Sequence, residues 1–176
     1  RERIDQELRP ENAIGTSPAM LKAYELISAA GESSSHILIR GEVGAGKDFA
    51  MRAIANAKMW RDKPLEILDC STMRDSLIDA ALFGSQSPTH RSTLGLVEKA
   101  DGGIVYLDSM GLIGQPLQVK LLKFMTDGTY TRCSETKIRR SGARIIASTS
   151  GDLETRLRNG IIRPDFYYHL SVFTIN

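Results

Sequence analysis

A run of glycines around a single lysine, Gly41-Glu42-Val43-Gly44-Ala45-Gly46-Lys47, is the part of this chain whose residue types and spacing point most directly to chemistry. It follows a short apolar run, His36-Ile37-Leu38-Ile39, and precedes a segment in which Ala50, Ala53, Ile54 and Ala57 recur at helical spacing. Strand, glycine-rich turn and helix in that order are what a phosphate cradle requires. Backbone N–H groups wrap closely around phosphate oxygens only where no Cβ blocks the approach or the backbone angles. The start of the next helix adds positive potential, and Lys47 adds a point charge for the outer phosphates. A turn that binds nothing is the plain alternative, and it leaves strand, lysine and helix as coincidences. Asp48 stands where serine or threonine ordinarily offers an oxygen to magnesium.

The second half of such a site is an apolar strand ending in an acid, and Ile104-Val105-Tyr106-Leu107-Asp108 supplies it. Asp108 is therefore the expected magnesium ligand, and the implied cofactors are ATP or ADP with Mg²⁺. His36, His90 and His169 are dispersed with no second ligand at metal spacing, so no further metal is expected. Cys70 and Cys133 lie far apart, which offers neither a zinc site nor a disulfide framework and fits a reducing, cytoplasmic compartment. Lys137, Arg139, Arg140 and Arg144 form either an anion patch or, as preferred here, the wet face of strands. Trp60, Tyr167 and Tyr168 are read as packing residues rather than a stacking platform.

The elements that must position these groups are legible from pattern. With 176 residues the chain can bury one core, and 23 basic against 21 acidic residues form no block of one sign that would suggest a nucleic-acid tail. Ser17-Pro18 reads as a cap and first turn, followed by Met20, Leu21, Tyr24 and Ile27 at helical spacing up to Gly31. Residues 66–69, 103–108 and 144–149 are further buried-strand segments separated by helical pattern. Such alternation implies a mostly parallel sheet between helices, a three-layer α/β fold. Gln115 to Met125 predicts an amphipathic helix with Asp127-Gly128 as its stop, and residues 171–175 predict a last strand. Residues 1–12 read as a linker or frayed helix before a single domain at 13–176, and no run approaches the ~20 apolar residues of a membrane span.

With these motifs in place the chain resembles the central AAA+ domain of sigma-54-dependent transcription activators, the enhancer-binding proteins. Ile14-Gly-Thr-Ser-Pro-Ala-Met20 is similar to that family's IGxSxxM, and GEVGAGKD to its GESGTGKE, which accounts for the acid at Asp48. Lys63-Pro64 with Asp69-Cys70 resembles KPF...NC, Leu82-Phe83-Gly84 resembles ELFG, and Ala100-Asp101-Gly102-Gly103 matches ADGG. QVKLLKFMTDG is similar to QxKLLRxLQEG, RIIASTSGDL to RIIAATNRDL, and RPDFYYHLSVF to REDLYYRLNVF. The resemblance implies a P-loop NTPase of the AAA+ type, with nucleotide between Walker A (Gly41 to Asp48) and Walker B (Asp108). It also implies a homo-oligomeric ring that remodels a sigma-54 promoter complex, and a helical lid that falls beyond the last residue, so that this stretch alone is expected to bind nucleotide more weakly.

The departures fall on working parts. Ser109 stands where the family's catalytic glutamate follows the Walker B aspartate, and a serine cannot serve as that base. Asp69 aligns with the asparagine coupled to that glutamate, and Ser150 with the sensor I asparagine. Arg163 matches the first trans-acting arginine, but His169 occupies the second position. Between Gly84 and Ala100 the chain reads SQSPTHRSTLGLVEK, shorter than in the family and without the GAFTGA that touches sigma-54. The sequence thus predicts a regulatory nucleotide-binding module with little turnover, whose contact with RNA polymerase or sigma factor does not follow the usual route. A working ATPase using Asp69 as base and Arg163 as finger is the competing reading, and a scaffold that binds no nucleotide is a third. No helix-turn-helix pattern is present, so no direct DNA contact is expected from this stretch.

Overall fold

The computed structural model describes residues 17–86 and 92–176. The expected linker at 1–12, the Ile14 to Thr16 opening, His90 and part of the interval before Ala100 lie outside the described residues. The first helix among the described residues, α1, spans Pro18–Gly31, with Ser17 Oγ accepting from the Met20 N–H at 3.3 Å as an N-cap. Then come β1 (Ile37–Arg40), α2 (Lys47–Ala55), β2 (Leu65–Asp69) and α3 (Asp75–Phe83). A short ribbon follows, β3 (Gly84–Ser85) with β4 (Thr93–Leu94), and then α4 (Leu96–Lys99) and β5 (Ile104–Asp108). After a 3₁₀ turn at Met110–Leu112 the long helix α5 covers Gln115–Asp127 and stops at Gly128, φ +70°. A second ribbon pairs β6 (Thr129–Tyr130) with β7 (Arg139–Arg140). The chain then runs through β8 (Arg144–Thr149), α6 (Leu153–Arg158), α7 (Pro164–Leu170) and β9 (Thr174–Ile175).

The main sheet has five strands in the order β2-β5-β8-β1-β9, and every pairing within it is parallel. Alternation along each strand separates two cores. Ile37, Ile39, Ile104, Tyr106 and Ile146 face α1 and α2, where Ile27, Met51 and Ile54 complete the cluster. Leu38, Val105, Leu107, Ile145 and Ala147 face the other way, onto Phe83, Leu121, Phe124, Phe166 and Leu170. Helices on both faces of a parallel sheet give the three-layer fold that the sequence predicts. All C-terminal strand ends therefore share one rim, where such folds bind ligands.

Three local expectations change. Arg144 is not on a wet face: it is 2% exposed, its Nε donates to Ser35 O at 2.5 Å and its Nη2 to Ala30 O at 3.0 Å. Its guanidinium lies 4.9 Å from the centroid of the buried Trp60 ring, and burial pushes its pKa down to about 10. A charge so placed survives because it caps carbonyls at the end of α1 and stacks on an aromatic face. The last strand pairs only at Thr174 and Ile175, because Ser171 still caps α7 by donating to Tyr167 O at 2.9 Å. Trp60 packs in the α1/α2 core and Tyr167 against the opposite one, as expected, but Tyr168 is not a packing residue: it is 65% exposed. His36 accepts the Ile145 N–H at Nδ1 and meets Met125 O at Nε2, each at 3.0 Å, a structural role satisfied by the neutral ring.

Candidate nucleotide-binding site

At the C-terminal rim, the Gly41 N–H donates to Thr149 O at 3.2 Å and so prolongs the β1–β8 pairing by one residue before the chain turns. The turn closes through the Ala45 N–H to Glu42 O at 3.1 Å. Gly44 and Gly46 have φ of +84° and +85°, a region L side chains rarely adopt, and a Cβ on Gly41 would lie 3.0 Å from the Ala45 Cβ. These glycines thus hold a concave main-chain path that side chains would strain or fill. Gly46 is the N-cap of α2 and makes no side-chain cap bond, so the first amides of that helix have no partner of their own kind. Lys47 Nζ arches over the turn, donating to Gly41 O at 3.0 Å and Glu42 O at 2.8 Å. An ammonium with no carboxylate partner among the described residues, above free amides, is what a polyphosphate needs. Beside the loop lies a cleft of about 380 Å³ whose apolar lining includes Met20, Tyr24, Ile27, Phe49 and Ile175. A flat base fits such a lining.

Strand register lines up the acidic side. Ile39 pairs with Ser148, Leu107 with Ala147, and Asp69 with Asp108. Ser148, Asp108 and Asp69 consequently stand in one row, on the sheet face that carries α2. Asp108 Oδ1 accepts from the Ser148 hydroxyl and, at 2.9 Å, from the Ser109 N–H. Ser109 has φ +57°, a left-handed conformation uncommon outside glycine and asparagine. Asp48, one residue into α2, accepts the Tyr106 hydroxyl at 3.4 Å, and burial raises the Tyr106 phenol above its ordinary range. Among the described residues no three His, Cys, Asp or Glu side chains form a metal cluster. One carboxylate next to a phosphate loop suits Mg²⁺, which keeps several waters and leans on substrate phosphates.

The remaining expected residues divide. Asp69 is exposed and engaged locally, its Oδ1 accepting from the Ser71 hydroxyl at 2.7 Å and the Ser71 N–H at 2.8 Å, and these bonds hold its pKa below the ordinary carboxylate value. Ser150 sits beside the loop, lining with Gly41 and Glu42 a second hollow of about 370 Å³. Arg163 is not brought to the loop of its own chain: its Nε and Nη2 fork onto Asp165 at 3.0 and 2.7 Å. His169 lies near the end of α7, its ring 6.2 Å from that of His36. Sequence reasoning passed over Ser148, and also the chain Arg40–Glu154–Tyr167, in which Glu154 accepts from Arg40 Nη2 at 2.6 Å and from the Tyr167 hydroxyl at 3.2 Å. A hydroxyl inside an otherwise apolar strand was the available signal for Ser148.

Comparison with known proteins agrees with this geometry. The sequence model of the sigma-54 interaction domain matches residues 13–176. A Nif-specific regulatory protein of Sinorhizobium fredii is 34% identical over 163 residues, covering 90% of this chain and 27% of that protein. The phenol regulator MopR of Acinetobacter guillouiae is 31% identical, covering 93% of this chain and 30% of that protein. Among solved structures, NtrX from Brucella abortus in complex with ATP superposes with a TM-score of 0.82 at 32% identity, covering 99% of this chain and 40% of that one. NtrX has also been solved with ADP. The P-loop NTPase domain of a sigma-54 activator from E. coli, at 15% identity and a TM-score of 0.61, shares the fold. The chain thus spans well under half the length of the Nif regulator, MopR and NtrX. It belongs to the sigma-54 interaction domain family, the AAA+ module of transcriptional regulators.

Proposed function

We propose that this chain is an ATP- or ADP-binding regulatory module that uses nucleotide occupancy, with little turnover, to set assembly or partner contact. The observation that carries the reading is the contrast at one rim: an intact main-chain cradle with Lys47, beside a Walker B strand that ends Asp108-Ser109. The amides of residues 44–48 and Lys47 bind the phosphates, the cleft at Tyr24 and Phe49 takes the base, and Asp108 holds the metal side. Mg²⁺, when bound, neutralises phosphate charge. With serine in place of glutamate the residue that follows Asp108 has no carboxylate to accept a proton from water, a loss worth about 10²–10⁴ in rate.

The competing reading, a working ATPase with Asp69 as base, is weakened by the Ser71 bonds, which lower the basicity of that carboxylate and tie one of its oxygens to the turn that follows β2. Arg163 acting on a neighbouring subunit in a ring would first have to leave Asp165. Contact with sigma factor through the family's GAFTGA loop is not part of the proposal, since the sequence between Gly84 and Ala100 lacks it.

Calorimetric titration of the full-length protein with ATP tests the reading. Binding is expected, and Lys47→Ala should weaken it roughly 30-fold, the loss of one charge-assisted bond of about 2 kcal/mol. Absence of binding by the wild type overturns the proposal. Phosphate release by the oligomer at about 1 per second or faster, an ordinary enzyme rate, overturns its low-turnover half.

A further inference from the structure

Ser148 is fully buried in β8, on the same face as Ile146, and its hydroxyl is spent on the end of the neighbouring strand. It donates to Asp108 Oδ1 and accepts the Ser109 N–H at 3.3 Å. Ser109 N–H also reaches Asp108 Oδ1, at 2.9 Å. One oxygen of Asp108 is therefore gripped by two donors, while Oδ2 has no hydrogen-bond partner among the described residues. A carboxylate clamped at one oxygen presents the other in a fixed direction, which is how residues behind a metal ligand orient it. The clamp ties together the ends of two neighbouring strands, β5 and β8. It accompanies the left-handed Ser109, whose amide supplies the second donor.

We propose that Ser148 is a positioning residue for the magnesium–nucleotide site: its hydroxyl, with the Ser109 N–H, fixes Asp108 so that Oδ2 alone serves the metal's shell. Ser148 itself is too deeply enclosed to be a ligand. The proposal rests on the reading of Asp108 as the magnesium residue and deepens it.

ATP titrations of the full-length protein in EDTA and in Mg²⁺ give the factor by which the metal tightens binding. Ser148→Ala should leave affinity in EDTA unchanged and reduce the Mg²⁺ factor about tenfold. Ser148→Thr, which keeps the hydroxyl, should lie closer to wild type than to alanine. An unchanged Mg²⁺ factor in Ser148→Ala overturns the positioning role and spares the nucleotide site. Equal weakening in EDTA and in Mg²⁺ also overturns it, as the signature of a general packing defect. Wild-type protein that binds ATP with no response to Mg²⁺ overturns the reading of Asp108 and the proposal together.

Discussion

Where the strands of the parallel sheet end, Asp69 and Ser150 are exposed, Asp108 is half-buried with one oxygen unshared, and the amides opening α2 lack partners. Where the same strands begin, His36 has both ring nitrogens bonded, and Arg144 is enclosed, with two carbonyls and an indole face around it. Residue type does not separate the two rims, since each carries charged and titratable groups. Access does: groups at the strand-entry rim spend their bonds on the fold, even though the enclosed Arg144 keeps its Nη1 without a partner, and groups at the other rim have capacity open to a ligand. Substitutions at the first rim should therefore move binding and turnover, and those at the second should move stability.

The largest expected effect is a gain. Restoring the acid with Ser109→Glu should raise phosphate release by the assembled protein about 100-fold or more, the usual worth of a placed base, with ATP affinity little changed. If release stays at background while ATP still binds, the substituted glutamate position is not what limits turnover. At the opposite rim, Arg144→Met should lower stability by about 2 kcal/mol, because the Ala30 and Ser35 carbonyls lose their donor. Denaturant melts would register that loss, and ATP affinity of the folded fraction should be unaltered; a nucleotide defect without a stability defect would break the comparison.

The smallest effect concerns acid. Burial, with His169 and Arg144 nearby, lowers the His36 pKa from its ordinary 6.5, while the bond to the Met125 carbonyl opposes that shift without cancelling it. The unfolded chain therefore takes up more protons than the folded one below that pH, and stability falls as pH drops through it. Melting temperatures measured on either side of about pH 6.5 should show this slope in the wild type and lose that component in His36→Gln.

Much of the fold could be read directly. The apolar runs ending at Ile39, Asp108 and Thr149 are buried strands within a residue or so of expectation, because a parallel sheet covered on both faces demands continuous apolar segments, whereas the run ending at Asp69 is a strand but not a buried one, since it lies at the sheet edge with Leu65 and Ile67 exposed. The ribbons at 84–94 and 129–140 left no trace, since two-residue strands have no periodicity to detect. Arg144 was misread because its partners, Ala30 and Ser35, are more than a hundred positions away; its neighbours Ile145 and Ile146 were the better guide. In the site, the loop was legible because its chemistry belongs to the main chain and only glycine allows that path. Ser148 was not, because its meeting with Asp108 depends on the order in which β5 and β8 pair.

Trp60, the single tryptophan, sits beyond the far end of α2 with Arg144 and Lys63 both over its ring, at 4.9 and 4.8 Å. Its emission is consequently an intrinsic optical gauge of whether the strand-entry end of the molecule is intact. Fluorescence should follow denaturation closely and respond hardly at all to occupancy of the loop, so one sample can report folding and ligation through separate channels.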